Sequence, residues 1–91
     1  GPDLVYPDPV LIQGPSTIVL NGTAQFTVTG TGGGTPKDPK WEGGAPAGTI
    51  DPQTGIFTAT GTVGQFGFIS VFGPDDEGAQ NNNFKITIVA P

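Results

Sequence analysis

Residues 41–71 read WEGGAPAGTIDPQTGIFTATGTVGQFGFISV, and they decide the fold class. Asp51-Pro52-Gln53-Thr54-Gly55 is a turn by its chemistry. An aspartate side chain accepts from the amides just ahead of it, proline pre-sets φ, and glycine takes the closing conformation. The turn separates two short apolar runs, Gly48-Thr49-Ile50 and Ile56-Phe57-Thr58-Ala59. Gly61 to Gly64 make a second turn. Phe66 to Phe72 follows, apolar on both alternating sets, which predicts a central strand, and Gly67 within it marks a bulge or close packing. Trp41, the only tryptophan, is expected to open a short strand and to fill the core, since one such ring buries about 150–250 Å2.

The flanking sequence repeats the pattern. Ala24, Phe26 and Val28 alternate with Gln25, Thr27 and Thr29, so one face is buried and one is wet. Phe84, Ile86 and Ile88 alternate in the same way with Lys85, Thr87 and Val89. Asn21-Gly22, between Thr17–Leu20 and Ala24–Thr29, predicts a hairpin, because both residues accept positive φ. Leu4 to Ile12 contains Pro7 and Pro9 and is expected to be an edge or irregular strand, or a docked linker. Glycine and proline number 16 and 10, and the longest run free of both, Ala79 to Ala90, closes with Ile-Thr-Ile-Val-Ala. That punctuation excludes helix. The expectation is an all-β sandwich of about seven short strands in two sheets, with turn signals every 8–12 residues.

Ninety-one residues make one domain, and the 34% hydrophobic fraction, clustered at strand spacing, is enough for a small core. Gly1-Pro2 reads as the remnant of a tag-removal site, leaving residues 3–91 as the domain. The net charge is −5, with three lysines and no arginine or histidine. Three scattered lysines cannot displace counterions from nucleic acid or hold an anionic membrane. No stretch is long and apolar enough to span a bilayer. Without histidine or cysteine, Ser-His-Asp and Cys-His systems and imidazole or thiolate metal sites are unavailable. The glycine-rich stretch Gly30 to Pro39 lacks the following helix that a phosphate cradle requires. No cofactor is expected.

The order Trp41, Gly48 to Asp51, Thr54 to Ala59, Gly61 to Gly64 and Phe68 to Val71 resembles the bacterial immunoglobulin-like domains, group 2 and its relatives. The similarity extends over about Thr17 to Val89. It departs at Glu42-Gly43-Gly44-Ala45-Pro46, where family members often carry a serine or asparagine run, so no contact surface is carried over. The resemblance implies a module of surface adhesins, multidomain polysaccharide-degrading enzymes and phage tail or capsid proteins, without a shared catalytic site.

What remains are weaker candidates for a site. Asp75, Asp76 and Glu77, with Asp51 or Asp38 if loops converge, supply hard oxygen ligands suited to calcium, although their spacing matches no dedicated calcium loop. Tyr6, Trp41, Phe57 and Phe72, with the polar Asn81 to Asn83, are the ring contacts available to a sugar. Ile56/Phe57 and Val71/Phe72 place apolar groups on both faces of their strands, so one member of each pair is expected at the surface. Lys85 alternates outward and so does not suit an internal isopeptide bond, and the Asn21-Gly22-Thr23 sequon is explained by the turn. Two functions follow. The first is a non-catalytic spacer, display or adhesion module of a bacterial surface, secreted or virion protein, monomeric in isolation and contacting neighbouring domains of a parent chain or a host-surface ligand. The alternative is a carbohydrate-binding accessory module of a polysaccharide-active enzyme.

Overall fold

The computed structural model describes residues 10–30, 38–72 and 84–91. Among these residues the chain is all-β and has no helix. Its nine short strands are β1 (Val10–Gln13), β2 (Thr17–Val19), β3 (Thr23–Gln25), β4 (Thr27–Gly30), β5 (Lys40–Gly43), β6 (Thr49–Ile50), β7 (Ile56–Thr58), β8 (Phe66–Phe72) and β9 (Phe84–Val89). They form a four-stranded sheet, β2-β9-β8-β5, a three-stranded sheet, β3-β7-β6, and a pair, β1-β4.

The all-β sandwich expected from the sequence is present; its strands number nine in three sheets among the described residues, where about seven in two were expected, and the reason is local. β3 and β4 are one run interrupted at Phe26, whose amide donates to the Gly55 carbonyl at 2.9 Å. On one side of Phe26 the strand pairs with β7, and on the other with β1. A single change of partner thus divides one layer into two short sheets.

The turn at Asn21-Gly22 also differs from expectation. Asn21 takes positive φ, 69°, as an asparagine can. Yet β2 and β3 do not pair with each other: β2 runs parallel to β9, while β3 is antiparallel to β7. The turn is locked instead to the residue after β7. Asn21 N donates to Ala59 O at 2.8 Å, and Ala59 N donates to Gly22 O at 2.9 Å. Asn-Gly reports a tight reversal, and here that reversal carries the chain from one sheet to the other.

Side chains from all three sheets meet in one core. Ile18, Trp41, Ile69, Val71, Ile86 and Ile88 come from the four-stranded sheet. Val28, Ile50 and Phe57 come from the shorter sheets, with Phe26 at their junction and Ala47 and Ala59 from connections. Fully burying an aliphatic or phenyl side chain of this kind contributes about 1.5–3 kcal/mol. The Phe26 ring stands edge-on to Phe57, 6.4 Å away at 81°, and to Phe84, 5.5 Å away at 68°. β8 is central, flanked by β9 and β5, and its inner row is Gly67, Ile69 and Val71. Gly67 is needed for close approach, because a Cβ there would strike the Gly44 carbonyl. Gly55 closes its turn at φ 76° beside the Trp41 ring.

Candidate functional site

The turn predicted at Asp51 forms as its chemistry requires. Thr54 N and Gln53 N donate to Asp51 Oδ1 at 2.9 and 2.8 Å, and Gly55 N donates to Asp51 O at 3.0 Å. The two amides facing Oδ1, that of Thr54 foremost, hold the Asp51 carboxyl below the ordinary aspartate range by favouring its charged form. Beside the turn lies an open concavity of about 390 Å3, lined by Thr49, Ile50, Asp51, Thr54, Ile56 and Thr58. Register places Thr49, Thr58 and Thr23 in one row across β6, β7 and β3. The lining of the concavity thus sets three threonines and the Asp51 carboxylate beside two isoleucines.

The proposed ring contacts separate sharply. Trp41 is 4% exposed and Phe57 0% exposed, so neither offers a ring face to a ligand. As candidate sugar contacts both are corrected, and the physical reason is alternation: each occupies the inner position of its strand. Their neighbours take the surface positions, with Ile56 exposed and Phe72 half-buried beside the buried Val71. Tyr6 and the Asn81 to Asn83 segment lie outside the described residues. So do the calcium candidates Asp75, Asp76 and Glu77. Among the described residues no group of three or more acidic side chains is placed to hold a metal ion. Asp51 and Asp38 are described, and Asp51 Oδ1 is already engaged by the turn amides. No helix among the described residues is long and apolar enough to cross a membrane.

One surface feature was missed from sequence. Phe66 and Phe68, on the outer row of β8, are 47% and 44% exposed. Their rings meet edge to face, 5.8 Å apart at 84°. Lys85, on β9 opposite Phe68, lays its ammonium 4.4 Å from the centre of the Phe66 ring. A cation in that position is attracted by the ring quadrupole and is held close to the sheet. Val19, at the end of β2, and Val63, in the turn before β8, are also exposed, and Val19 pairs with half-buried Val89. The signal that points to this face is Gly67. Gly67 faces the Gly44 carbonyl at close approach, and the phenylalanines on either side of it therefore face outward.

No protein-family model matches the sequence, and no curated protein matches it.

Proposed function

We propose that this chain is a non-catalytic immunoglobulin-like module that acts as a spacer or display unit in a larger bacterial surface, secreted or virion protein. Strand order supports the immunoglobulin-like assignment. In the constant-type sandwich, strands A, B, E and D form one sheet and C, F and G the other. Taking β1, β3/β4, β7 and β6 as A, B, E and D, and β5, β8 and β9 as C, F and G, reproduces that order, with β2 added in parallel beside β9.

The observation that carries the spacer role is where the first and last of the described strands begin and end. β1 begins with Val10 opposite Gly30, at the far end of β4. β9 ends with Val89 opposite Val19, next to the Asn21-Gly22 turn that starts β3. Thr23 to Gly30 separates these two ends, a run of roughly 25 Å at about 3.3 Å per residue. Entry and exit therefore lie at opposite poles, so modules joined in series would extend a parent chain instead of folding it back.

A carbohydrate platform would favour coplanar exposed rings. Among the described residues the two most exposed rings stand almost perpendicular, and Trp41 and Phe57 are inside. Small-angle scattering of two modules joined in series tests the proposal, together with affinity electrophoresis on a panel of polysaccharides. The expected result is a maximum dimension close to twice that of one module, with no retardation on any polysaccharide. A compact pair of modules overturns the spacer role. Retardation that is abolished by Phe66→Ala selects the carbohydrate-binding alternative.

A further inference from the structure

We propose that the outer face of the four-stranded sheet is a self-contact surface on which two copies of this chain pack side by side, running in the same direction. The face is built in rows. Val19 lies beside Val89, and Thr17, Thr87 and Phe66 form the next row. Lys85 lies beside Phe68, and Ser70 beside Glu42. The half nearer the exit pole is therefore apolar apart from its threonines and one cation. Four of the six most exposed large apolar side chains among the described residues, Val19, Val63, Phe66 and Phe68, sit on it or at its border.

Charge placement identifies the occupant. The phenylalanine column runs up β8, with Lys85 on its β9 side and Glu42 on its β5 side. Among the described residues, all three charged side chains on this face, Lys85, Glu42 and Lys40, are exposed at outward positions of their strands, and Lys40, beside Phe72, stands two residues farther from Phe68 than Glu42 does. A two-fold axis parallel to β8 and lying between two such faces exchanges the β9 side of one copy with the β5 side of the other. Each Lys85 then meets the second copy's Glu42 across the phenylalanines, about two residues along the strand and within reach of both side chains. An axis perpendicular to the strands, through the same centre, would set Lys85 against Lys85. For a contact centred on Phe66 and Phe68, Lys85 is therefore matched to Glu42 in one orientation and opposed to Lys85 in the other, which selects the parallel, side-by-side pair.

Area sets the strength of the contact. With large apolar side chains close to half exposed, Phe66, Phe68, Val19 and Val63 offer roughly 300 Å2, comparable to the largest patch on a typical monomer. A standard stable interface buries about 800 Å2 on each partner. The contact is accordingly weak and concentration-dependent, suited to modules displayed side by side on neighbouring parent chains, where effective concentration is high. It does not depend on the spacer role, and a module of any function could carry it.

Sedimentation equilibrium from micromolar to millimolar protein tests the proposal, alongside amide chemical shifts followed on dilution. Wild type is expected to form a dimer toward the millimolar end, with dilution shifts centred on Phe66, Phe68, Lys85 and Thr87. Phe68→Ser and Lys85→Glu should each weaken association on the order of tenfold. The exchanged pair Lys85→Glu with Glu42→Lys should recover most of that loss. All three positions face outward, so the variants are expected to remain folded, and the wild-type dilution shifts map the contact independently of any variant. A monomer through millimolar concentration overturns the proposal. So does a dimer indifferent to Phe68→Ser, or an exchanged pair no better than Lys85→Glu alone. Shifts at these amides on adding a soluble polysaccharide, with no change of mass on dilution, would assign the face to a ligand and reject the self-contact.

Discussion

Replacing Phe57 with alanine separates the inside of this molecule from its outside. Phe57 is 0% exposed, its ring meets Phe26 edge to face, and Gly44 and Gly48 leave the space it fills. At Gly44 an added Cβ would come within 2.8 Å of Phe57 Cε2, and at Gly48 within 2.8 Å of Cζ. Because the surrounding sheets are held by ladder hydrogen bonds, the site can collapse only partly. The cost is then the transfer energy of the ring plus a cavity term, about 3–5 kcal/mol. A domain of this length has about 5–14 kcal/mol in total, so about a fifth or more of its stability is removed. With a urea dependence of about 1–1.5 kcal/mol per molar, the unfolding midpoint falls by about 2–5 M. The assay needs no label, because Trp41 is the only tryptophan and its ring is buried. Its fluorescence reports unfolding directly. Phe68→Ala is the control: an exposed phenyl of the same size on the outer row, expected to cost under about 1 kcal/mol. Equal losses for the two substitutions would mean that the facing of β7 and β8 given above is wrong.

Two further substitutions probe features that packing and turn chemistry make specific. Gly67→Ala should destabilise by about 1–3 kcal/mol, because the atoms in its way, the Gly44 and Ala45 carbonyls, are backbone; urea melts check this, and a neutral result would refute the close approach. The Asp51 carboxyl, followed by its side-chain carbon shift, should titrate below the ordinary aspartate value of about 3.9. Since its folded value is the depressed one, its contribution to stability is complete above the unfolded value and is lost as pH falls through the folded value. Asp51→Asn should remove that part of the acid limb, and an Asp51 titrating at or above the ordinary value would contradict the turn geometry.

The alternation of Ala24 to Thr29 and of Phe84 to Val89, the central place of Phe66–Phe72 and the turn at Asp51 were all legible in the sequence. Each rests on a local rule, such as side-chain period or turn chemistry, and the structure obeys it. Three features were not legible. The facing of β8 was ambiguous because both of its rows are apolar, and hydrophobicity alone would turn the phenylalanines inward. Gly67 breaks the tie only once Gly44 is seen beneath it. Asn21-Gly22 announces a reversal, but which strands then pair is decided by partners far along the chain, Ala59 and Val89. The strand interruption at Phe26 likewise depends on Gly55, a residue on another connection. As for the candidate site, the sequence could nominate rings but could not assign their faces. Trp41 is core, as expected of it, and Phe57 proved to be core too, while Phe66 and Phe68, not nominated, hold the surface.

The parallel pairing of β2 with β9 has a mechanical consequence. Tension applied between the residues entering β1 and those leaving β9 runs along the strands, since the two points lie at opposite poles. Such a load drags β2 one way and β9 the other, and it slides β1 along β4. The hydrogen bonds of each ladder are then sheared together and share the force, whereas in a peeling geometry they would break one at a time. A domain with no disulfide to limit its extension thus meets stretching through its most collectively loaded bonds, and it should yield abruptly, at one threshold, when it yields at all.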